Sequence, residues 1–578
     1  MPTTVDELKI AQLPPYQKRS FVPEKADLSN KEEAVKLYQQ LLNRSIQSKE
    51  ELEQWLMDRS ELEACLDQEG AILYIHMTCQ TDDPQKANAY RHFIETVVPA
   101  VKPLEDQCNQ KYLKERKRFP LDRDFYQIYD RTVQVDIDLF RNENVPLQTK
   151  VALLAQKYQE IFGTMMVNFE GQEYTLPQMA KFLLSEDRSI REQAWRATAK
   201  RRLKEHKRLD DVFEEMLRLR HKIAVNAGFR NFCEYQFMAY HRFDYTQKDC
   251  RKYHEAVEDL VVPLWKKILA RRRSQMKLAS LRPWDLDVDP LGRPALAPFT
   301  KAEELVEGVK TIFEHLNKEL GEQFQQIMEL GLLELPSRKG KAPGGYQAIL
   351  AEVRKPFIFM NAVGLDDDVR TLLHEGGHAF HALASASQKL FAYRHAPMEF
   401  CEVASMSMEL LGGEHLFPFY NTEDQERSCL RHLEDVVYTL LWVATIDTLQ
   451  EWIYIHPDHS SEERAQAWLK VHQRFGSEFL DWRDLEEEHK FFWHRQLHIF
   501  EAPFYYIEYG IAQLGALQIW LSTKKNLSQA MSKYRHALTL GRSRPLPDLF
   551  ATAGLKFDFS AKTIVPLVKL LSQELKII

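Results

Sequence analysis

Two histidines four residues apart, His374 and His378, enclose Glu375 and a pair of glycines, Gly376 and Gly377. On a helix, residues four apart share a face one turn above one another, so both imidazoles can reach one zinc ion. Glu375, next to the first ligand, can reach the metal's water and act as its general base, which is the chemistry of metal-assisted amide hydrolysis. The glycines distinguish this segment from a chance occurrence of the spacing. Each costs a helix interior about 1 kcal/mol relative to alanine, so something must pack tightly against the backbone there. Asp366, Asp367 and Asp368 favour a helix start, and the helix is expected to run through Leu372 and Leu373 to about Ala386.

Hydrolytic zinc needs three protein ligands and an open position. His381 shares the face of His374 and His378, but it lies about 10 Å from His374 along the axis at 1.5 Å per residue. The longer pattern with a further glycine and histidine is absent. The third ligand must therefore come from another element. A second amphipathic helix is expected after Pro397, and Glu399, Glu402 and Glu409 fall near one of its faces. An acidic side chain on an apolar helix is expensive to bury unless it is paired or bound to metal. Spacing does not choose among the three, and salt bridging is the expected role of Glu399.

The elements that must position these groups are mostly helical. Apolar residues recur at three-and-four spacing over Lys31 to Arg59, Ala87 to Lys117, Leu147 to Phe162, Ile190 to Ala227 and Cys250 to Leu278. Asn168 to Pro177 reads as a hairpin before a capped helix. Tyr346 to Leu350 and Pro356 to Asn361 read as two short strands just ahead of the metal helix. The fold class is thus mainly α: a two-lobed helical body with a small β-sheet beside the HExxH helix, divided as an N-terminal helical lobe over 1–185 and a catalytic domain over 186–578.

The 578 residues carry a net charge of -7, which argues against nucleic acid as a partner. Basic runs such as Arg271 to Arg273 read as solvated helix faces. Met1 to Phe21 holds no apolar signal-peptide core. The most apolar stretch, His432 to Ile455, contains Glu434, Asp435, Asp447 and Glu451, so it reads as a buried helix rather than a membrane span. Seven scattered cysteines without paired spacing suit reduced thiols and a cytoplasmic location.

Several segments resemble the thimet oligopeptidase and oligoendopeptidase F family of zinc metallopeptidases, and oligoendopeptidase F in particular. They are Pro356-Phe357-Ile358-Phe359-Met360-Asn361, Asp367-Asp368-Val369 and His374 to Phe380, then Glu402-Val403-Ala404-Ser405, then His498-Ile499-Phe500 and Pro503 to Tyr509. Ala227-Gly228-Phe229, Arg242 to Tyr245, Asn168 to Gln172 and Asp187-Arg188 are similar too. The resemblance covers roughly residues 165 to 525 and is weak before 160. It implies one zinc per chain, a deep substrate channel between two lobes, and internal cleavage of short unstructured peptides. It also selects Glu402 as the third ligand.

Within that reading the oxyanion needs donors besides the metal. A neutral tyrosine can supply one, so Tyr506, Tyr509 and His498 are the catalytic candidates beside Glu375, with Tyr505 as a substrate contact that could also serve as donor. Glu409, two turns after Glu402, is expected to orient a zinc-bound imidazole. Gly344, Gly345 and Tyr346 are expected to pair with the extended backbone of a substrate. The rival readings are a peptidyl carboxypeptidase of similar fold, which would need a cation for the terminal carboxylate, and a non-catalytic peptide-binding protein. Oligomeric state is not legible.

Overall fold

The computed structural model describes Ile10 and residues 13–577. The expectation for Met1 to Phe21 therefore falls largely outside the described residues. Helices dominate, joined by short turns, with two small sheets. The expected helical runs are present but more finely divided. Lys31 to Arg59 is split between Lys31–Asn43 and Lys49–Cys79, because Ser48 leaves the helix and its side chain accepts the Glu51 N–H as a cap. Ile190 to Ala227 is split at Lys204-Glu205, where Glu205 ties Arg201 to Arg208 across the break.

Buried apolar side chains form two large clusters. One holds residues of the first 133 positions, such as Tyr38, Trp55 and Tyr112, joined by buried Leu390 and Tyr393 from later in the chain. The other joins helices from Ile72 to Leu575 and contains the apolar faces around the metal helix. At its centre runs Thr422–Ile455, a 34-residue helix. Its charges are matched rather than exposed to an apolar medium: Glu434 to Arg271, Asp435 to Arg431, Asp447 to His254 and Glu451 to Arg251. No helix among the described residues is long and apolar enough to cross a membrane.

Strands β1 (Met166–Phe169) and β2 (Gln172–Thr175) form the expected hairpin, turning through Glu170 and Gly171, both at positive φ. The second sheet has three strands, one more than the sequence suggests. β4 (Tyr346–Leu350) pairs antiparallel with β5 (Lys355–Ala362), and β5 pairs parallel with β3 (Leu333–Pro336). β3 is too short to carry a readable alternation. β4 forms one edge of this sheet, and β5 leads through Gly364 directly into the metal helix.

Candidate metal centre

The metal helix spans Asp366–Ser385. Its start is fixed by Asp368, whose Oδ2 accepts the N–H groups of Val363, Gly364 and Leu365 at 2.7–2.8 Å. A second helix, Met398–Gly413, crosses it after Pro397. The two glycines explain how they meet. A Cβ on Gly377 would lie 2.5 Å from the Ser405 Cα and 2.6 Å from the Ala404 carbonyl oxygen. One on Gly376 would lie 2.5 Å from the Phe313 ring, on the helix Ala302–Leu316. The cost of two glycines in mid-helix is thus offset by a backbone approach that only their absent side chains allow.

That approach brings together His374, His378 and Glu402, whose ligand atoms all lie within 4.8 Å of one another. Glu402 Oε2 stands 3.4 Å from each Nε2. Two imidazoles and a carboxylate are a donor set suited to zinc with an open fourth position. Two of the three, Glu402 and His374, are held from behind. Ser405 Oγ donates to Glu402 Oε2 at 2.9 Å and the Tyr505 hydroxyl to Oε1 at 2.6 Å. His374 Nδ1 meets Glu409 Oε1 at 2.6 Å, and Glu409 Oε2 meets His432 Nε2 at 3.0 Å. An Nδ1–H given to Glu409 leaves Nε2 free to ligate.

The charges settle accordingly. Burial alone would raise the Glu402 carboxyl, but the His378 and His374 imidazoles outweigh it and hold it well below the ordinary range. Burial raises Glu409 less than His374 and His432 lower it, leaving it at about 2. His374, opposed by burial, is raised by Glu402 and Glu409. Glu375 is 5% exposed and burial raises its pKa. Its Oε2 has no hydrogen-bond partner, and a Cβ on Gly345 would come within 3.3 Å of its Oε1. An unpartnered, basic carboxylate oxygen beside a three-donor metal site is what a general base requires.

Glu399 does not converge on the metal ligands. It accepts from the Tyr245 hydroxyl at 2.6 Å and stands 3.8 Å from Arg242. His381 packs on Phe400, neither ring nitrogen has a partner, and burial with the charge of His378 pushes it down to about 3.

The facing wall comes from residues 496–509. His498 lies on the short helix Leu497–Glu501, and its Nε2 is 3.2 Å from the Tyr509 hydroxyl. Tyr506 is the residue just before the helix Ile507–Thr523, its ring 5.1 Å from that of His498 and 5.2 Å from that of Tyr509. Tyr505, expected as a substrate contact, has its hydroxyl on Glu402. The turn between these helices puts Phe504 at φ 67, a left-handed conformation that costs about 1–2 kcal/mol. Gln450 Oε1 accepts the Phe504 N–H at 3.1 Å, and Arg242 holds its carbonyl while pairing with Glu508 at 2.6 Å.

Of the strand residues expected to meet substrate, Gly344 has φ +87 and its carbonyl accepts from Asn361. Gly345 lies against Glu375. The Tyr346 ring stacks on Phe359 at 4.7 Å and its hydroxyl lies 2.6 Å from Thr78 Oγ1. Four supporting residues were not singled out from the sequence: Ser405, His432, Gln496 and Trp442. Ser405, one turn after Glu402, was legible by spacing. Gln496 stands two residues before His498, while His432 and Trp442 reach the site from the helix Thr422–Ile455, and no local pattern signals them. Trp442 Nε1 donates to Gln496 Oε1 and Gln496 Nε2 to His498 Nδ1, both at 2.8 Å, so His498 must carry its proton on Nε2.

A mainly helical body with two histidines, a glutamate and a free carboxylate at its centre defines a metallopeptidase. The chain belongs to peptidase family M3: that family's model matches residues 181–565, and the model of the M3 N-terminal domain matches 21–140. Oligopeptidase PepF of Bacillus subtilis is 24% identical over 300 residues, a match spanning 51% of this chain and 44% of the relative. Two solved structures, one assigned as an oligoendopeptidase F and one of PZ peptidase A with an inhibitor, superimpose with a TM-score of 0.90. Each is 27% identical, with 97% of this chain and 99% of theirs covered.

Proposed function

We propose that this protein is a zinc-dependent endopeptidase that hydrolyses internal bonds of short unstructured oligopeptides, with one zinc per chain held by His374, His378 and Glu402. The observation that carries the reading is the convergence of these three donors next to the unpartnered Oε2 of Glu375. Bound there, zinc supplies Lewis acidity to the scissile carbonyl and lowers the pKa of a water to near neutrality. Glu375 takes the proton of the attacking water and delivers it to the leaving amine. Tyr509 and His498 donate to the developing oxyanion, with Tyr506 packed against both rings. Tyr505 holds Glu402, and Glu409 holds His374. The edge strand at Gly344, Gly345 and Tyr346 offers backbone groups to an extended peptide.

Residues 1–185 form the proposed N-terminal lobe and 186–578 the catalytic domain; the separate core of Val22 to Val133 supports an early unit, while Ile72, Tyr158 and Met165 pack into the large core. Seven free thiols support a cytoplasmic location.

A quenched unstructured peptide of about ten residues, of a size for small-substrate clefts and blocked at both ends, tests the reading. Internal cleavage abolished by chelator and restored by zinc is expected. Glu375→Gln should keep zinc and lose about 10²–10⁴ in kcat. A Glu375→Gln protein as active as the parent would remove the general base. Cleavage confined to peptides with a free C-terminus would make the protein a carboxypeptidase, and zinc binding without any cleavage would make it a binding protein.

A further inference from the structure

Arg242, which holds the carbonyl of the Phe504 turn, also lines a cleft of about 30 Å³, room for one small ion or a water or two. The cleft lies where four segments meet: the helix Arg123–Leu139, the turn after the helix Phe232–Ala239, the start of the ligand helix Met398–Gly413, and residues 542–546. Arg131, Arg242, Arg542 and Arg544 line it, against two carboxylates, Asp244 and Glu399.

Those carboxylates leave much of the guanidinium hydrogen-bonding capacity unused. Arg242 spends only Nη2, on the Phe504 carbonyl and Glu508. Its Nε and Nη1 are buried without a hydrogen bond, and Glu399 stands 3.8 Å from Nε with its oxygen given to the Tyr245 hydroxyl. Arg131 Nε is likewise buried without a hydrogen bond. Asp244 is 3.8 Å from Arg131 Nη1, beyond hydrogen-bond reach, and accepts the Leu546 N–H instead. Arg542 donates to the His395 carbonyl and to His241 Nδ1, and it has no ion pair among the described residues. His241 adds no charge: Nδ1 accepts from Arg542, so its single proton sits on Nε2, facing Asp136. Arg544, at the exposed mouth, donates to the Ser543 carbonyl. Burial opposes the charges of Arg131 and Arg542 by more than the surrounding carboxylates support them. Buried guanidinium N–H groups without acceptors, in a cleft with more cations than carboxylates, call for an anion. The small volume favours a monatomic one over a peptide or a phosphate.

We propose that Arg131, Arg242 and Arg542 bind one chloride-sized monovalent anion, and that this anion braces the turn carrying Tyr505, Tyr506 and Tyr509. With Nε and Nη1 occupied, the Arg242 guanidinium is fixed on both sides, and its Nη2 holds the Phe504 carbonyl in the left-handed turn. The ion also lies beside Glu399, at the start of the helix that carries Glu402, so it joins the two sides of the metal centre. Its binding stands apart from the peptidase reading; only its effect on rate rests on that reading.

Crystals of the full chain grown or soaked in sodium bromide should show a bromine anomalous peak between Arg131, Arg242 and Arg542. In solution, chloride is exchanged for gluconate, an anion too large for the cleft, at constant ionic strength, so that general screening is unchanged. At about 0.2 M, chloride should raise the melting temperature by about 1–3 °C over gluconate, the size expected of one weak ligand on a large chain. It should also raise kcat several-fold with little change in KM, because the groups on the turn act in the transition state. R131Q and R542Q should abolish both differences; R131Q alters a partly exposed side chain and carries the test should R542Q not fold. No bromine peak and no difference between chloride and gluconate would overturn the proposal. A peak with no chloride-specific response would mark an adventitious ion only and overturn it as well. A response that persists in both variants would place the ion elsewhere and remove this site. A bromine peak and a melting shift lost in the variants, in a protein that cleaves no peptide, would keep the anion site while the peptidase reading fails.

Discussion

The two walls of the site are built on opposite principles. The metal wall is made of helices in close backbone contact, its carboxylates Glu402 and Glu409 are held ionised, and its groups are locked together: His374 to Glu409, Glu409 to His432, Glu402 between two imidazoles. The donor wall is made of a five-residue helix, a strained turn and the first turn of the helix Ile507–Thr523, and its groups are neutral. Burial pushes His498 down to about 4, against the weaker pull of Glu402, and raises the phenol of Tyr509. Charge is useful where a cation must be held. Neutral donors are useful where an oxyanion forms, because they neither neutralise the carboxylates nor change protonation near neutral pH.

The sharpest way to break this comparison is to remove one donor. Tyr509→Phe should lower kcat by about 10²–10³ and leave the zinc content unchanged. Zinc loss in that variant would show that the two walls are not separate. Conversely, Glu409→Gln should weaken zinc affinity by about 10- to 100-fold, measured by competition with a chelator, while kcat at saturating zinc changes less. An affinity equal to the parent's would free His374 from the proposed dependence on Glu409.

Smaller in effect is the packing that brings the metal wall together. Gly377→Ala places a methyl against the Ser405 backbone and should cost about 1–3 kcal/mol in urea unfolding, with loss of zinc affinity. Neutral stability would mean that the helices can separate at no cost.

The last effect concerns His381, the buried imidazole that shares the ligand face. Its folded pKa of about 3 lies below its ordinary 6.5. Below pH 6.5 the unfolded chain binds a proton that the folded chain refuses. Stability is therefore lost as pH falls from about 6.5 toward 3, by up to about 1.4 kcal/mol per pH unit from this group. In chelated protein, His381→Leu should flatten the fall of the urea midpoint between pH 6.5 and 4.5, and it should keep the zinc affinity. An unchanged slope would return the proton, and with it a polar role, to His381.

The metal wall was far more legible than the donor wall. A spacing of four on a helix is a geometric statement, so His374, Glu375 and His378 could be read directly, and the mid-helix glycines announced a close neighbour without identifying it. The three candidate glutamates were left equivalent by spacing, and the resemblance alone separated them. In the structure Glu399 faces Tyr245 and Arg242, Glu402 faces the imidazoles, and Glu409 lies behind His374. The tyrosines of residues 505–509 were readable as donors but not as individuals, because the turn through Phe504 has no period from which to infer direction.

The sequence by itself determined the helical class, the capped metal helix, the hairpin and the strand pair that precede the site, since each depends on neighbours within a few turns. Tertiary structure alone decided the contacts between segments far apart in the chain. It set Arg242 against the Phe504 turn, His432 behind Glu409 and Trp442 behind Gln496. Local propensity carries no record of which distant side chain will stand within 3 Å, because that distance is fixed only when the helices pack.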